Sequence, residues 1–199
     1  MSGPLRVVRA AYDERTITVY QAYPAEIARP ALAAGTFVPP FGTGRMTWIK
    51  PSFLWMMYRC GWGGKANQEH VLGVRITREG FEWALAHASL SHFDAAVHAD
   101  RATWEADRDR SPVRVQWDPD RSVTLDRLDR RAVQVGLSGE AVRRYVGGWI
   151  EEIVDVTPLA HTVRDLVRRR ALDEARAQLP EERPYPLPPA IRERLGADG

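Results

Sequence analysis

The stretch RMTWIKPSFLWMMYRCGWGGK, residues 45–65, decides the reading of this chain. Met46-Thr47-Trp48-Ile49 has the β-branched and aromatic content of a short strand. Lys50-Pro51 then marks a helix start, because proline at the first helical position loses no intrahelical donor. The run Phe53-Leu54-Trp55-Met56-Met57-Tyr58 is apolar around nearly its whole circumference, so that helix should cross the core and not lie on the surface. Gly61-Trp62-Gly63-Gly64 ends it in a glycine-rich loop.

Outward from this segment the chain alternates between strand and helix signals. Residues 16–20 have strand-like density after an Asp13-Glu14 turn. Pro24 suits the first turn of a helix whose N-terminal dipole favours Glu26, and Ile27, Ala31 and Ala34 share its inward stripe up to Gly35. Pro30 predicts a kink there, or two short turns. Downstream, residues 71–76 read as a strand and 78–88 as a helix buried through Phe81, Leu85 and Ala88. The acidic residues 94–110 read as a helix or an ordered loop. Residues 113–117 alternate as a strand, with Asp118-Pro119-Asp120 expected to turn the chain.

Residues 132–137 form the last strand signal. Ser138 is placed to cap a helix containing Val142, Tyr145 and Trp149. Thr157-Pro158 opens a final long helix to Leu179, packed through Leu159, Val163 and Leu166. Pro180 and the prolines from Pro184 through Pro189 favour extended chain. The expected architecture is α+β: a single compact domain over residues 1–179, with a central mixed or antiparallel sheet and packed helices, followed by a proline-rich C-terminal tail at 180–199.

Composition narrows the function classes. The 199 residues include 28 basic and 26 acidic side chains, for a formal charge of +2. No interval is apolar enough for a membrane span, and Met1-Ser2-Gly3-Pro4 opens no signal-peptide hydrophobic region, so no membrane partner and a cytoplasmic location are expected. Cys60, the single cysteine, rules out an intrachain disulfide and a multi-thiolate metal site, and beside an apolar helix it reads as a small core residue. The spacing of His87, His92 and His98 fits no zinc framework, and Gln68-Glu69-His70 departs from His-Glu-x-x-His, so no metal site is inferred.

The charge is unevenly spread. Between Glu26 and Glu69 there is no acid, but Arg29, Arg45, Lys50, Arg59 and Lys65 are present. A local basic surface can steer an anion whatever the net charge. Arg45 offers a multidonor fork for phosphate and Lys50 a more flexible charge, while the Ser52 hydroxyl and the amides after Pro51 would form an anion cradle at the open helix end. Arg59 and Lys65 extend that site if the glycine loop folds back. Trp48 or Trp62 would stack on a base, with the glycine-bounded Trp62 the better placed for exposure. Gln68 is suited to orienting a sugar or amide, and Glu69 is the candidate catalytic carboxylate. Arg164, Arg168, Arg169 and Arg170 make a second basic patch. The structural alternatives are an ordinary capped core helix, internally packed tryptophans and solvated charges.

The segments YQAYPAEIA from Tyr20, RMTWIKPSFLWMMYRCGW from Arg45, QEHVLGVRI from Gln68, VRVQWDPDR from Val113 and VQVGLSGEAVRRY from Val133 resemble the family filed as domain of unknown function 4291. The resemblance covers the chain from Arg9 to about Arg168, and the family's name supplies no reaction. More weakly, Val19-Tyr20, the helix after it and the Gly35-Thr36 loop are similar to the opening of ADP-ribosyltransferase-type folds. That likeness implies nicotinamide adenine dinucleotide as a ligand and a glutamate acting in transfer. The leading expectation is recognition of a nucleotide or RNA phosphate, coupled to nucleotide-dependent transferase chemistry. The alternatives are a non-enzymatic RNA-binding or nucleic-acid-binding module, which would join the two basic segments in one groove, and a protein-interaction domain, which would expose the tryptophans and prolines.

Overall fold

The computed structural model describes residues 6–198, so Met1-Ser2-Gly3-Pro4 lies outside the described residues. In chain order the elements are β1 (Arg9–Ala10), β2 (Thr16–Tyr23), α1 (Ala25–Ala34), β3 (Thr47–Ile49), α2 (Phe53–Cys60), β4 (His70–Thr77), α3 (Arg78–Ala86), β5 (Ala88–Leu90) and α4 (Arg101–Arg110). There follow β6 (Val113–Arg121), β7 (Arg127–Leu137), α5 (Glu140–Arg144), a π-helical turn at Tyr145–Trp149, β8 (Ile150–Asp155), α6 (Thr157–Arg168), α7 (Leu172–Ala177), β9 (Arg183–Pro184) and α8 (Pro189–Leu195). The protein is α+β, with its strands paired almost entirely antiparallel.

Two main sheets carry the fold. One is antiparallel with strand order β2-β4-β8, and the other runs β3-β7-β6-β5, with only β5 and β6 parallel. They touch through a single bridge between Tyr20 of β2 and Lys50, just past β3. Tyr20 N–H donates to the Lys50 carbonyl at 2.8 Å and Lys50 N–H donates back at 3.3 Å. Beyond the bridge, Gln21–Tyr23 stay in register with β4, whereas Thr47–Ile49 pair with β7.

The larger core fills the space around the sheets with residues such as Ile17, Ile76, Phe81, Val135 and Tyr145. A second core gathers Tyr20, Phe53, Met56, Met57, Cys60 and Trp62 against Ala160, Val163 and Leu166 of α6. The apolar run at 53–58 therefore does form a buried helix, on which Tyr58 and Arg59 alone are exposed.

Several local expectations are corrected. α1 runs as one helix through Pro30 and not as two short turns, with the fully buried Ala28 and Ala31 on either side of the proline. Asp118-Pro119-Asp120 does not turn the chain. β6 runs on to Arg121 with a register irregularity at the proline, a position where the missing donor is tolerated. Ser138 donates to the Pro112 carbonyl at 2.9 Å instead of capping α5, whose N-cap is Gly139. β8 carried no clear signal in the sequence because only Ile153 among its residues is buried, and Glu151 and Glu152 are exposed. The final long helix breaks after Arg168, where Arg170 takes a positive φ of 61°.

The proline-rich segment packs onto the rest of the chain. β9 pairs with β1, and Tyr185, Ile191 and Leu195 are buried in the larger core. Prolines set its extended entry and the first turn of α8, but its apolar side chains tie it down.

Gly80 shows how tightly α3 meets the π-helical turn. A Cβ added there would lie 2.4 Å from Trp149 Cγ, near the base of that side chain, where rotation gives little relief. Gly80→Ala is expected to destabilise the fold by about 1–3 kcal/mol, read as a lower denaturant midpoint. An unchanged midpoint would mean that Trp149 yields freely.

Candidate functional site

From the Tyr20–Lys50 bridge β2 and β3 part, and the space between them is a cavity of about 450 Å³. Its walls come from Gln21 and Tyr23 of β2, Pro24 and Glu26 at the start of α1, Arg45 through Trp48 and Lys50 around β3, Met56 and Arg59 of α2, and Asn67 and Gln68 before β4. That volume lies within the ~300–1,000 Å³ span of small-molecule clefts.

Buried polarity is concentrated there. Among the described residues seven polar or charged side chains are buried, and three of them, Gln21, Thr47 and Lys50, line this one cavity. Gln21 is held from behind: Tyr145 Oη donates to its Oε1 at 2.6 Å, and its Nε2 donates to Tyr23 Oη at 2.8 Å. Burial pushes the Tyr23 phenol up to about 12, against the opposing effects of nearby Thr47 and Arg45. A side-chain network anchored in the core thus ends at the cavity floor, where satisfied partners fix the rotamers.

Three cations converge on the same space. Arg45 and Arg59 are exposed at the rim, and Lys50 is 6% exposed. Among the described residues none of the three forms an ion pair. Lys50 Nζ makes one long hydrogen bond, 3.3 Å to the Trp48 carbonyl, and lies 5.4 Å from the centre of the Trp55 ring. Burial, reinforced by Arg59, pushes the Lys50 ammonium down to about 7, with Asp118 and Cys60 acting in the opposite sense. No side chain caps the start of α1, whose Pro24, Glu26 and Ile27 line the cavity, so the Glu26 carboxylate stands at the positive end of that helix.

Five of the residues singled out in the sequence meet here: Arg45, Trp48, Lys50, Arg59 and Gln68. The others do not line the cavity. Ser52 donates to Asp120 Oδ1 at 3.3 Å and accepts from Trp55 N–H at 3.4 Å. The expected anion cradle at the α2 start holds the chain's own carboxylate, since Phe53 N–H donates to Glu182 Oε1 at 2.6 Å. Burial pushes that Glu182 carboxyl up to about 8.

Trp62 is buried in the second core, contrary to the exposure expected of a glycine-bounded residue. Gly61, Trp62 and Gly63 have successive φ values of 61°, 59° and 74°, a left-handed turn that folds the indole back onto α2. Lys65 Nζ donates to the Arg59 carbonyl at 2.7 Å and ties this turn to the helix end. Glu69 is exposed outside the cavity lining and accepts from Asn67 N–H at 2.8 Å. Arg164, Arg168, Arg169 and Arg170 stay on the α6 side, three of them engaged with Asp165. Cys60 is a core residue whose thiol is raised by burial.

Residue-by-residue reading missed Gln21, Tyr23, Thr47, Asn67 and, as a cavity residue, Glu26. One signal was available: Gln21 is an amide flanked by Val19, Tyr20, Ala22 and Tyr23 in a strand, and such a residue needs partners when buried.

The chain belongs to the family described as Domain of unknown function (DUF4291), which matches residues 7–185. No curated protein and no solved structure matches it.

Lys50 allows a test of the cavity's electrostatics. Its folded pKa of about 7 lies below the ordinary 10.5, so the cost of burying its charge is full below pH 7 and falls away as pH rises towards 10.5. Lys50→Met is expected to stabilise the protein by about 1–4 kcal/mol at pH 6. The gain should shrink on going to pH 9.5, as followed by urea unfolding at the two pH values. A variant less stable than wild type at pH 6 would contradict an uncompensated ammonium.

Proposed function

We propose that this DUF4291 protein binds a phosphate-bearing nucleotide or RNA in the cavity between β2 and β3. The observation that carries this reading is the convergence of Arg45, Lys50 and Arg59 on one cavity, with no carboxylate paired to any of them. Cations held together without a carboxylate paired to any of them repel one another, and a bound phosphate relieves that repulsion while accepting their hydrogen bonds. Trp48, partly buried on the same wall, offers an indole face to a base. Asn67 and Gln68 supply amides suited to base edges or ribose hydroxyls.

For transfer chemistry on such a ligand, Glu26 is the carboxylate on the cavity wall, while Glu69 stands outside it. A protein-interaction reading draws less support. Among the described residues the exposed large hydrophobics are Tyr58 on α2 and Val154 on β8, separate elements that offer no common apolar patch.

Titration calorimetry with nucleoside mono-, di- and triphosphates, nicotinamide adenine dinucleotide and short RNAs tests the reading, with mass spectrometry of the mixtures reporting any transfer product. Replacing Arg45 and Arg59 together by Ala should weaken the binding partner found by about 10- to 100-fold. The unfolding midpoint should stay near that of wild type, because both side chains are exposed. Absence of binding heat from every phosphate-bearing probe would defeat the proposal.

Gly136 gives a second handle on the same site. It lies opposite Trp48 in the β3–β7 ladder, and a Cβ there would come within 2.6 Å of Met46 Sδ and 3.0 Å of the Trp48 ring. Gly136→Ala should therefore displace both cavity residues, shift the tryptophan emission and weaken nucleotide binding several-fold. Unaltered emission and affinity would show that neither side chain contributes.

A further inference from the structure

We infer that the cavity recognises a terminal phosphate, the monoester at the end of a nucleotide or RNA chain, in preference to an internal phosphodiester. This rests on the phosphate reading above and concerns which phosphate the site accepts. The cavity is graded in depth. Arg45 and Arg59 stand exposed at the rim, whereas Gln21, Thr47 and Lys50 are only 2%, 4% and 6% exposed at its floor.

The floor holds spare donors. An ammonium has three N–H groups, and Lys50 uses one, on the Trp48 carbonyl. A side-chain amide has two, and Gln21 Nε2 uses one, on Tyr23. Buried donors left over in this way call for a ligand dense in acceptors.

A monoester brings three unsubstituted oxygens and a charge of about −1.5 to −2 at neutral pH. An internal diester brings two such oxygens and a single charge, and it carries a ribose on either side. A strand passing through would have to reach the floor and leave again, burying two sugars against Lys50 and Gln21. A chain end needs to enter only once, leaving the preceding unit beside Trp48 and the rim arginines. Because burial holds Lys50 near its titration point, an entering dianion should draw a proton onto it.

The test measures affinities of the full chain at pH 7 for inorganic phosphate, for a nucleoside 5′-monophosphate and its 5′-methyl phosphodiester, and for one short RNA carrying 5′-phosphate, 3′-phosphate or only hydroxyl ends. The monoester of at least one pair should bind about 10- to 100-fold more tightly than its diester or hydroxyl-ended counterpart. Whichever pair shows the larger gap identifies the source, free nucleotide or RNA end. At pH 8, calorimetry in buffers of different ionisation enthalpy should show proton uptake on monoester binding, and Lys50→Met should abolish the uptake and narrow the gap to a few-fold. Equal affinities within both pairs overturn end recognition and leave the phosphate reading standing. Failure of every probe, inorganic phosphate included, overturns both. The wild-type comparison decides the matter even if the variant does not fold.

Discussion

The two hydrogen bonds between Tyr20 and Lys50, at 2.8 and 3.3 Å, are the point on which the site depends. They join β2 to the chain just past β3, and the ladder goes no further because each strand is already committed to a different partner, β4 in one case and β7 in the other. A complete ladder would have made one continuous sheet and left no space between the strands. Stopping after one bridge opens the cavity and fixes the backbone of Lys50 at its inner edge. From that position the Lys50 side chain is buried beside Trp55.

The two helices that border this region treat their open N-termini differently. α2 closes its end internally, with Ser52 capping Trp55 and Glu182 accepting from Phe53. The capping carboxyl group arrives from the C-terminal segment, so the same contact that satisfies the helix also ties the chain just before β9 to the start of α2. α1 has no side-chain cap, and its first turn faces the cavity. One potential anion site is thereby filled by the protein, and the other carries Glu26 in its first turn beside the three cations.

The rigidity of the floor follows from the same economy of buried polar groups. Tyr145 is wholly buried in the larger core and its hydroxyl needs an acceptor, which Gln21 provides. Gln21 then turns its amide nitrogen to Tyr23, which lies near Thr47. Core packing therefore sets the orientation of groups that face the cavity, and side-chain freedom is lost in folding and not on binding a ligand.

Much of this protein could be read locally. The apolar circumference of residues 53–58, the alternation at 113–117, the strand signal at 132–137, and the acid-free run holding Arg45, Lys50 and Arg59 are properties of neighbouring residues, and they pointed to the α+β class, the buried helix and the basic character of the site. What the tertiary structure decided was which side chains share a space. The left-handed turn at Gly61–Gly63 sends Trp62 into the core and brings Asn67 and Gln68 to the cavity. Glu182, some 130 positions away in the chain, fills the end of α2 that looked open from its own sequence. Gln21 and Glu26, more than twenty positions before Lys50, line the same cavity because β2 and β3 meet at one bridge and then part. Periodicity and charge runs act over a few residues, whereas the direction of a side chain towards a cavity depends on contacts between distant segments, and those exist only once the chain has folded.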